Sequence, residues 1–252
     1  MNTSPQILRL HYDLRTVFTR YSIPYLWLKR WQQKYFHPQA ATGTASGDSI
    51  KWGAIEPDTD IVIEGYPRSG NTFASSAFRI AQTEPVKIAY RLHASIQLIC
   101  AAKMGIPAIA LIRQPEDAVL SWVIHRSHLT IEQALKGYIS FYQAILPYKD
   151  SFVVADFDRV IGNFGEIIQE VNQKYQTEFQ EFVHTDENVA KCFAVIDDFY
   201  RGAGEGKIST QTVARPSSDR KKLKEQLRKQ FNSHGINKMR LEADKIYTKF
   251  VS

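Results

Sequence analysis

Apolar positions from residue 60 onward switch repeatedly between two rhythms. Short apolar runs, DIVIEGY at 60–66, PVKIAYRLH at 85–93, PAIALIR at 107–113 and SFVVADF at 151–157, predict strands. Three-to-four-residue spacing predicts helices over TFASSAFRIAQ (72–82), ASIQLICAAKMG (94–105), PEDAVLSWVIHRS (115–127), IEQALKGYISFYQAILPY (131–148) and FGEIIQEVNQKYQ (164–176). PAIALIR is apolar throughout, as expected of a strand covered on both faces in a parallel sheet. Strand and helix in alternation predict βαβ units, hence an α/β fold of three layers, α/β/α, around a central parallel sheet. The pattern is less ordered after residue 180.

Upstream, residues 6–36 carry a helical, aromatic and basic pattern that Pro24 divides in two. Trp27, Trp31, Tyr35 and Phe36 recur near helical spacing, with Lys29, Arg30 and Lys34 among them. Two readings stay open: a surface that docks on a membrane or a partner, or a helix packed on the domain with its charges in water. Residues 37–50, HPQAATGTASGDSI, are small and polar and predict a linker or loop. The expected division is therefore an N-terminal helical segment with linker over 1–50 and a folded domain over 51–252.

Charge and composition narrow the partners. The 252 residues have a formal charge of +6 and 44% hydrophobic content, so a sizeable core forms and anionic ligands are favoured. The two cysteines, Cys100 and Cys192, lie in no metal-type or disulfide pattern, which fits a reducing compartment. Arg9 and Asp13 interrupt the N-terminal apolar pattern that a signal peptide would need, and no apolar run is long enough to span a bilayer. The expectation is a soluble, cytoplasmic protein.

The densest chemistry follows the first strand. GYPRSGNT, Gly65 to Thr72, joins a strand to a helix, where parallel sheets bind ligands. Gly70 permits a tight turn, Ser69, Asn71 and Thr72 supply polar side chains, and the helix start presents N–H groups to an anion. Arg68 adds a cation with forked donors. Together they predict a cradle for phosphate or sulfate. The Lys before Ser/Thr that defines a Walker A loop is absent, which disfavours an ordinary NTPase or kinase. A second cluster follows the strand AIALIR: Arg113 at the strand end, Pro115, Asp117 and Ser121. Asp117 suits the helix start better than a phosphate, which it would repel.

These two clusters resemble the paired signatures of the PAPS-dependent sulfotransferases. The family's 5′-phosphosulfate loop reads Tyr-Pro-Lys/Arg-Ser-Gly-Thr/Asn-Thr-Trp, and Tyr66 to Phe73 matches it except for Phe73 in place of Trp. Its 3′-phosphate signature reads Arg-Asn/Asp-Pro-x-Asp-x-x-x-Ser, with Gln114 here in the Asn/Asp position. The resemblance is close over roughly residues 60–125. It implies a P-loop NTPase-like sulfotransferase fold over 51–252, PAPS as sulfuryl donor and no metal. It also implies cofactor-binding roles for Arg68, Ser69, Gly70, Asn71, Thr72, Phe73, Arg113 and Ser121.

Sulfuryl transfer to a hydroxyl calls for a base near the attacking oxygen. His93 closes the second strand and stands where the soluble members have Lys-Thr-His; here the triplet is Arg91, Leu92, His93. The resemblance implies catalytic roles for His93 and for Arg68 at the leaving group. Glu84 and Asp156 are alternative bases, and His125 reads as a helix-face residue. The segment between Arg68 and His93 is far shorter than in the family's well-known members, so the acceptor pocket is expected to differ. Residues 212–231 predict a loop entering a basic helix, with Arg215 as a candidate 3′-phosphate contact and 202–207 as a mobile loop before it. The acceptor, a glycan, a lipid or a small molecule, is not legible, and nucleic acid is not expected. Two rivals remain: a nucleotide-dependent phosphoryl transferase, and a non-catalytic basic binding module.

Overall fold

The structure, a computed structural model, describes residues 4–21, 23–36, 53–203 and 218–252. The linker expected over 37–50, residues 204–207 of the loop expected over 202–207, and Arg215 lie outside the described residues, while Gly202 and Ala203 end a helix. The chain opens with helices α1 (Pro5–Tyr21) and α2 (Ile23–Phe36). Pro24 falls in the first turn of α2, where a missing N–H costs no helical bond.

Four strands follow: β1 (Ile61–Gly65), β2 (Ile88–Tyr90), β3 (Ala108–Ile112) and β4 (Val153–Asp156). All pairs are parallel and the order is β2-β1-β3-β4. The crossovers are α3 (Asn71–Ala81) between β1 and β2, and α4 (Ser95–Met104) between β2 and β3. From β3 to β4 the chain runs through α5 (Pro115–His125) and α6 (Ile131–Ile145), then one 3-10 stretch. Four α-helices come next: α7 (Phe157–Gly162), α8 (Phe164–Tyr175), α9 (Asp186–Ala203) and α10 (Ser218–Phe231). The last is α11 (Asn237–Val251).

Period-two alternation sorts the strand residues between two cores. Val62, Ala108, Ala110 and Ile112 face a cluster built with α4, α5, α6 and α11. Ile61, Ile63, Ile109 and Leu111 face a second cluster built with α3, α8 and α9. The three-layer α/β architecture with a parallel sheet is thus as the sequence predicts. One element differs: the run at 85–93 yields only the three residues of β2. Arg91 and His93 adopt φ of 55° and 51°, which turns the chain out of the sheet.

Gly65 ends β1 where it lies against β3. A Cβ there would fall inside contact distance of the Leu111 carbonyl oxygen and 2.8 Å from Leu111 Cβ. Both obstacles belong to a paired strand, which cannot swing aside. Gly65→Ala is expected to cost about 3 kcal/mol, read as a lower urea midpoint at unchanged slope.

Candidate active site

The sheet order creates one crevice. From β1 the chain crosses to β2 on one side, then returns past β1 to β3 on the other. The loops leaving β1 and β3 diverge there, which is where open α/β sheets take ligands. The β1 loop is Gly65–Gly70; Arg113 leaves β3.

The β1 loop is braced from beneath by tyrosines. The Tyr142 hydroxyl donates to Leu111 O (2.8 Å), lies 3.3 Å from Ser69 Oγ and accepts from Tyr66 N (3.4 Å). The Tyr66 hydroxyl donates to Ala134 O (2.9 Å), and the Asn71 amide donates to Tyr66 O (3.0 Å). Ser69 and Asn71 are both buried, so their side chains set the loop's shape. What turns outward is the start of α3. Gly70 caps it at φ 93°, no side chain caps its N–H groups, and the Thr72 hydroxyl makes no hydrogen bond among the described residues. An uncapped helix start beside a hydroxyl suits an anion. Phe73 turns the other way. It is 6% exposed and packs on Phe182, His184 and Phe193, which commits its ring to the second core.

The two sequence clusters meet above this loop. Arg68 Nε donates to Ser121 Oγ (3.0 Å), and Arg113 donates to Arg68 O (3.2 Å). The Arg113 guanidinium stacks 3.8 Å from the Phe157 ring centroid, with Asp117 4.0 Å away. The acidic start of α5 is itself neutralised by the basic helix α10: Lys224 pairs with Asp117, and Arg228 with Glu116 at 2.5 Å. Arg68 holds φ 70°, a left-handed conformation that non-glycine residues adopt at a cost of about 1 kcal/mol. Of the four non-glycine residues at positive φ among the described residues, three surround this crevice: Arg68, Arg91 and His93. Such clustering of strain marks functional sites.

His93 is held through a residue the sequence reading missed. Glu64, fully buried on β1, accepts hydrogen bonds from the N–H groups of Gly65 (3.1 Å), Leu92 (2.9 Å) and His93 (3.1 Å) and from the Gln97 amide (2.8 Å). A carboxylate inside the apolar run IVIEG was the available signal. Burial pushes its pKa up to about 7, against the pull of those donors. The carboxylate thereby secures the positive-φ turn that aims His93. His93 Nδ1 lies 3.0 Å from Gly65 O, and since a carbonyl only accepts, Nδ1 carries the proton. Nε2 is left as an acceptor. Burial, reinforced by nearby Arg15, Arg91 and Arg68, pushes the imidazole pKa down to about 3, so the ring is neutral at physiological pH.

His93 opens into a small, partly open cleft. Tyr66, Pro67 and Ser95 form its floor with His93, Trp122 and Phe141 flank it, and Tyr12, Arg15 and Thr16 of α1 complete it. Arg15 donates to Leu92 O (3.0 Å) and makes no ion pair among the described residues. The contribution of α1 was invisible in the sequence. Of the aromatic residues on α5 and α6, Trp122 and Phe141 reach the cleft, whereas Tyr138 and Tyr142 are fully buried.

The other candidate bases stand differently. Glu84 is exposed beyond α3. Asp156 caps α7, accepting from Asp158 N (3.0 Å), and also accepts from the Tyr247 hydroxyl (2.7 Å). His125 stacks on Trp122 at 5.3 Å, on a helix face as expected.

The fold and site define an α/β protein with an uncapped helix start and two arginines at its switch point, beside a cleft lined by His93. No protein-family model matches the chain, and no curated protein sequence does. Six solved chains match by structure. Among them is mouse sulfotransferase SULT7A1 complexed with PAP, at 13% identity and a TM-score of 0.40, covering 73% of this chain and 89% of that chain.

Proposed function

We propose that this chain is a PAPS-dependent sulfotransferase that moves a sulfuryl group to a hydroxyl acceptor seated in the cleft. One observation carries the reading: Arg68 and Arg113, from signatures 45 residues apart, converge on one crevice, linked by Arg113 to Arg68 O and Arg68 to Ser121. The residues fit the donor nucleotide chemically. The uncapped start of α3 and Thr72 suit a 5′-phosphate, and Arg113 and Ser121 suit a 3′-phosphate. Ser69, Gly70 and Asn71 shape the loop, while Phe73, buried in the core, has no part in this assignment. When bound, PAPS supplies the activated sulfuryl group and a phosphate leaving group. Arg68 offsets negative charge gathering at that phosphate. His93 Nε2 takes the proton from the acceptor hydroxyl, and the Nδ1 bond to Gly65 O steadies the imidazolium that forms.

Calorimetric titration tests this reading with PAP, the desulfated product, against ATP with Mg²⁺. Micromolar PAP binding is expected, at least tenfold weaker in Arg113→Ala, since one charge-assisted contact is worth about 1.5–3 kcal/mol. Absence of PAP binding, or equal binding of ATP, would overturn it in favour of phosphoryl transfer or a binding module.

A further inference from the structure

Helix α1 wears its polarity inside out. The face turned toward the protein is polar apart from half-buried Leu8 and the ring of Tyr12: Arg9 donates to His128 O (2.6 Å), Asp13 accepts from Gln133 (2.9 Å), and Tyr12, Arg15 and Thr16 line the cleft. The face turned outward is apolar. Ile7, Leu10, Leu14, Val17 and Phe18 recur at helical spacing as one stripe, and each is 51–72% exposed. Helix α2 shares the outward half of this pattern: Leu26 on its inner side is buried in the core, yet a second, aromatic face stays outside. Buried Gln33 donor-acceptor chemistry anchors its inner face, with Gln33 accepting from Ala54 N (2.7 Å) and Arg30 donating to Ile55 O (2.5 Å). Outward, Trp27 (70%), Trp31 (45%) and Tyr35 (61%) follow at every fourth residue. A surface helix in water places its apolar stripe on the core. Two successive helices that each keep a large apolar face turned outward have a different solvent on that side.

Charge identifies that solvent. Residues 5–36 hold Arg9, Arg15, Arg20, Lys29, Arg30 and Lys34 against the single carboxylate of Asp13; Arg9, Arg15 and Arg30 reach back to carbonyls of the domain, and the segment as a whole stays strongly positive. Two such segments brought face to face in a dimer would repel, whereas an anionic bilayer attracts them. Trp and Tyr favour the headgroup level of a bilayer, where one end of the ring is apolar and the other wet. Among the described residues no helix is long and apolar enough to cross a membrane, so these helices would lie in the interface.

We propose that α1 and α2 dock the protein on an anionic membrane surface through Ile7, Leu14, Val17, Trp27 and Trp31. The docking stands on the exposed faces alone, independently of the sulfuryl-transfer reading. If both hold, α1 has the cleft on one side and lipid on the other, so the acceptor hydroxyl is borne by a lipid.

Flotation of the full chain with vesicles of phosphatidylcholine, with or without phosphatidylserine, tests the docking. The protein is expected to float with the phosphatidylserine vesicles, less as salt rises, with a blue shift in tryptophan emission. Trp27→Gln/Trp31→Gln and Leu14→Gln/Val17→Gln should each weaken flotation at least tenfold, since each withdraws two apolar side chains from the acyl boundary. All four side chains lie outside the donor crevice, so PAP titration should be unchanged. Loss of PAP binding in wild type alongside normal flotation would sink the enzymatic reading and leave docking intact. No flotation on either vesicle, or flotation unaffected by both double variants, would overturn the docking. So would a dimer in sedimentation that the same variants dissolve in the absence of vesicle binding.

Discussion

Arg68→Ala is expected to slow release of PAP from PAPS by roughly 100- to 1,000-fold, the loss seen when one preorganised charge donor is removed from an active site. The loop holds this side chain at a left-handed φ of 70°, with Nε on Ser121 and its carbonyl on Arg113. A guanidinium so tethered needs little reorganisation as charge builds on the leaving phosphate. Because the loop is braced by Tyr66 and Tyr142 rather than by Arg68, stability should change by less than about 1 kcal/mol. Arg68→Lys keeps the charge but loses the forked Nε contact to Ser121, and should recover only part of the rate. Single-turnover kinetics with radiolabelled PAPS would measure both. A loss under about threefold in Arg68→Ala would leave Arg68 a scaffold residue.

His93→Gln should cost a similar order, about 100- to 10,000-fold, as expected when a general base is removed. It should also unmask a pH dependence of stability that the wild-type protein lacks, which a rate assay alone does not test. His93 titrates at about 3 when folded against 6.5 ordinarily, so its contribution is full above pH 6.5 and is lost as pH falls through 3. Glu64 titrates at about 7 against 4.5, so its contribution is full below pH 4.5 and is lost as pH rises through 7. Between pH 4.5 and 6.5 the two trends oppose each other, and from this pair the wild-type protein gains a nearly flat profile. Without the imidazole only the Glu64 trend remains. Urea unfolding of His93→Gln should then show stability falling by about 3 kcal/mol from pH 4.5 to pH 7. A variant as flat as the wild type would mean that water relieves the burial of Glu64, so that its carboxyl is not raised.

The layers of the fold and the position of the Gly65–Thr72 loop were readable from residue order alone. Periodicity separates strands from helices because backbone geometry repeats every two or 3.6 residues, so DIVIEGY, PAIALIR and the helices after them were legible. The run of Gly, Pro, Arg, Ser, Gly, Asn and Thr was legible too, because a loop that approaches an anion needs those residue types close together along the chain. Periodicity could not register the positive φ of Arg91 and His93 that cut β2 short. That turn is held by Glu64, which stands 28 and 29 residues away from the amides of Leu92 and His93 that it binds. Nor could it say which face of α1 meets the protein. An amphipathic stripe has the same period whether it points at a core or at a bilayer, and only the packing of α1 on α6 made Tyr12, Arg15 and Thr16 the wall of a cleft. Residue types and local spacing travel with the chain, whereas the partner of each face is chosen when distant segments close on one another.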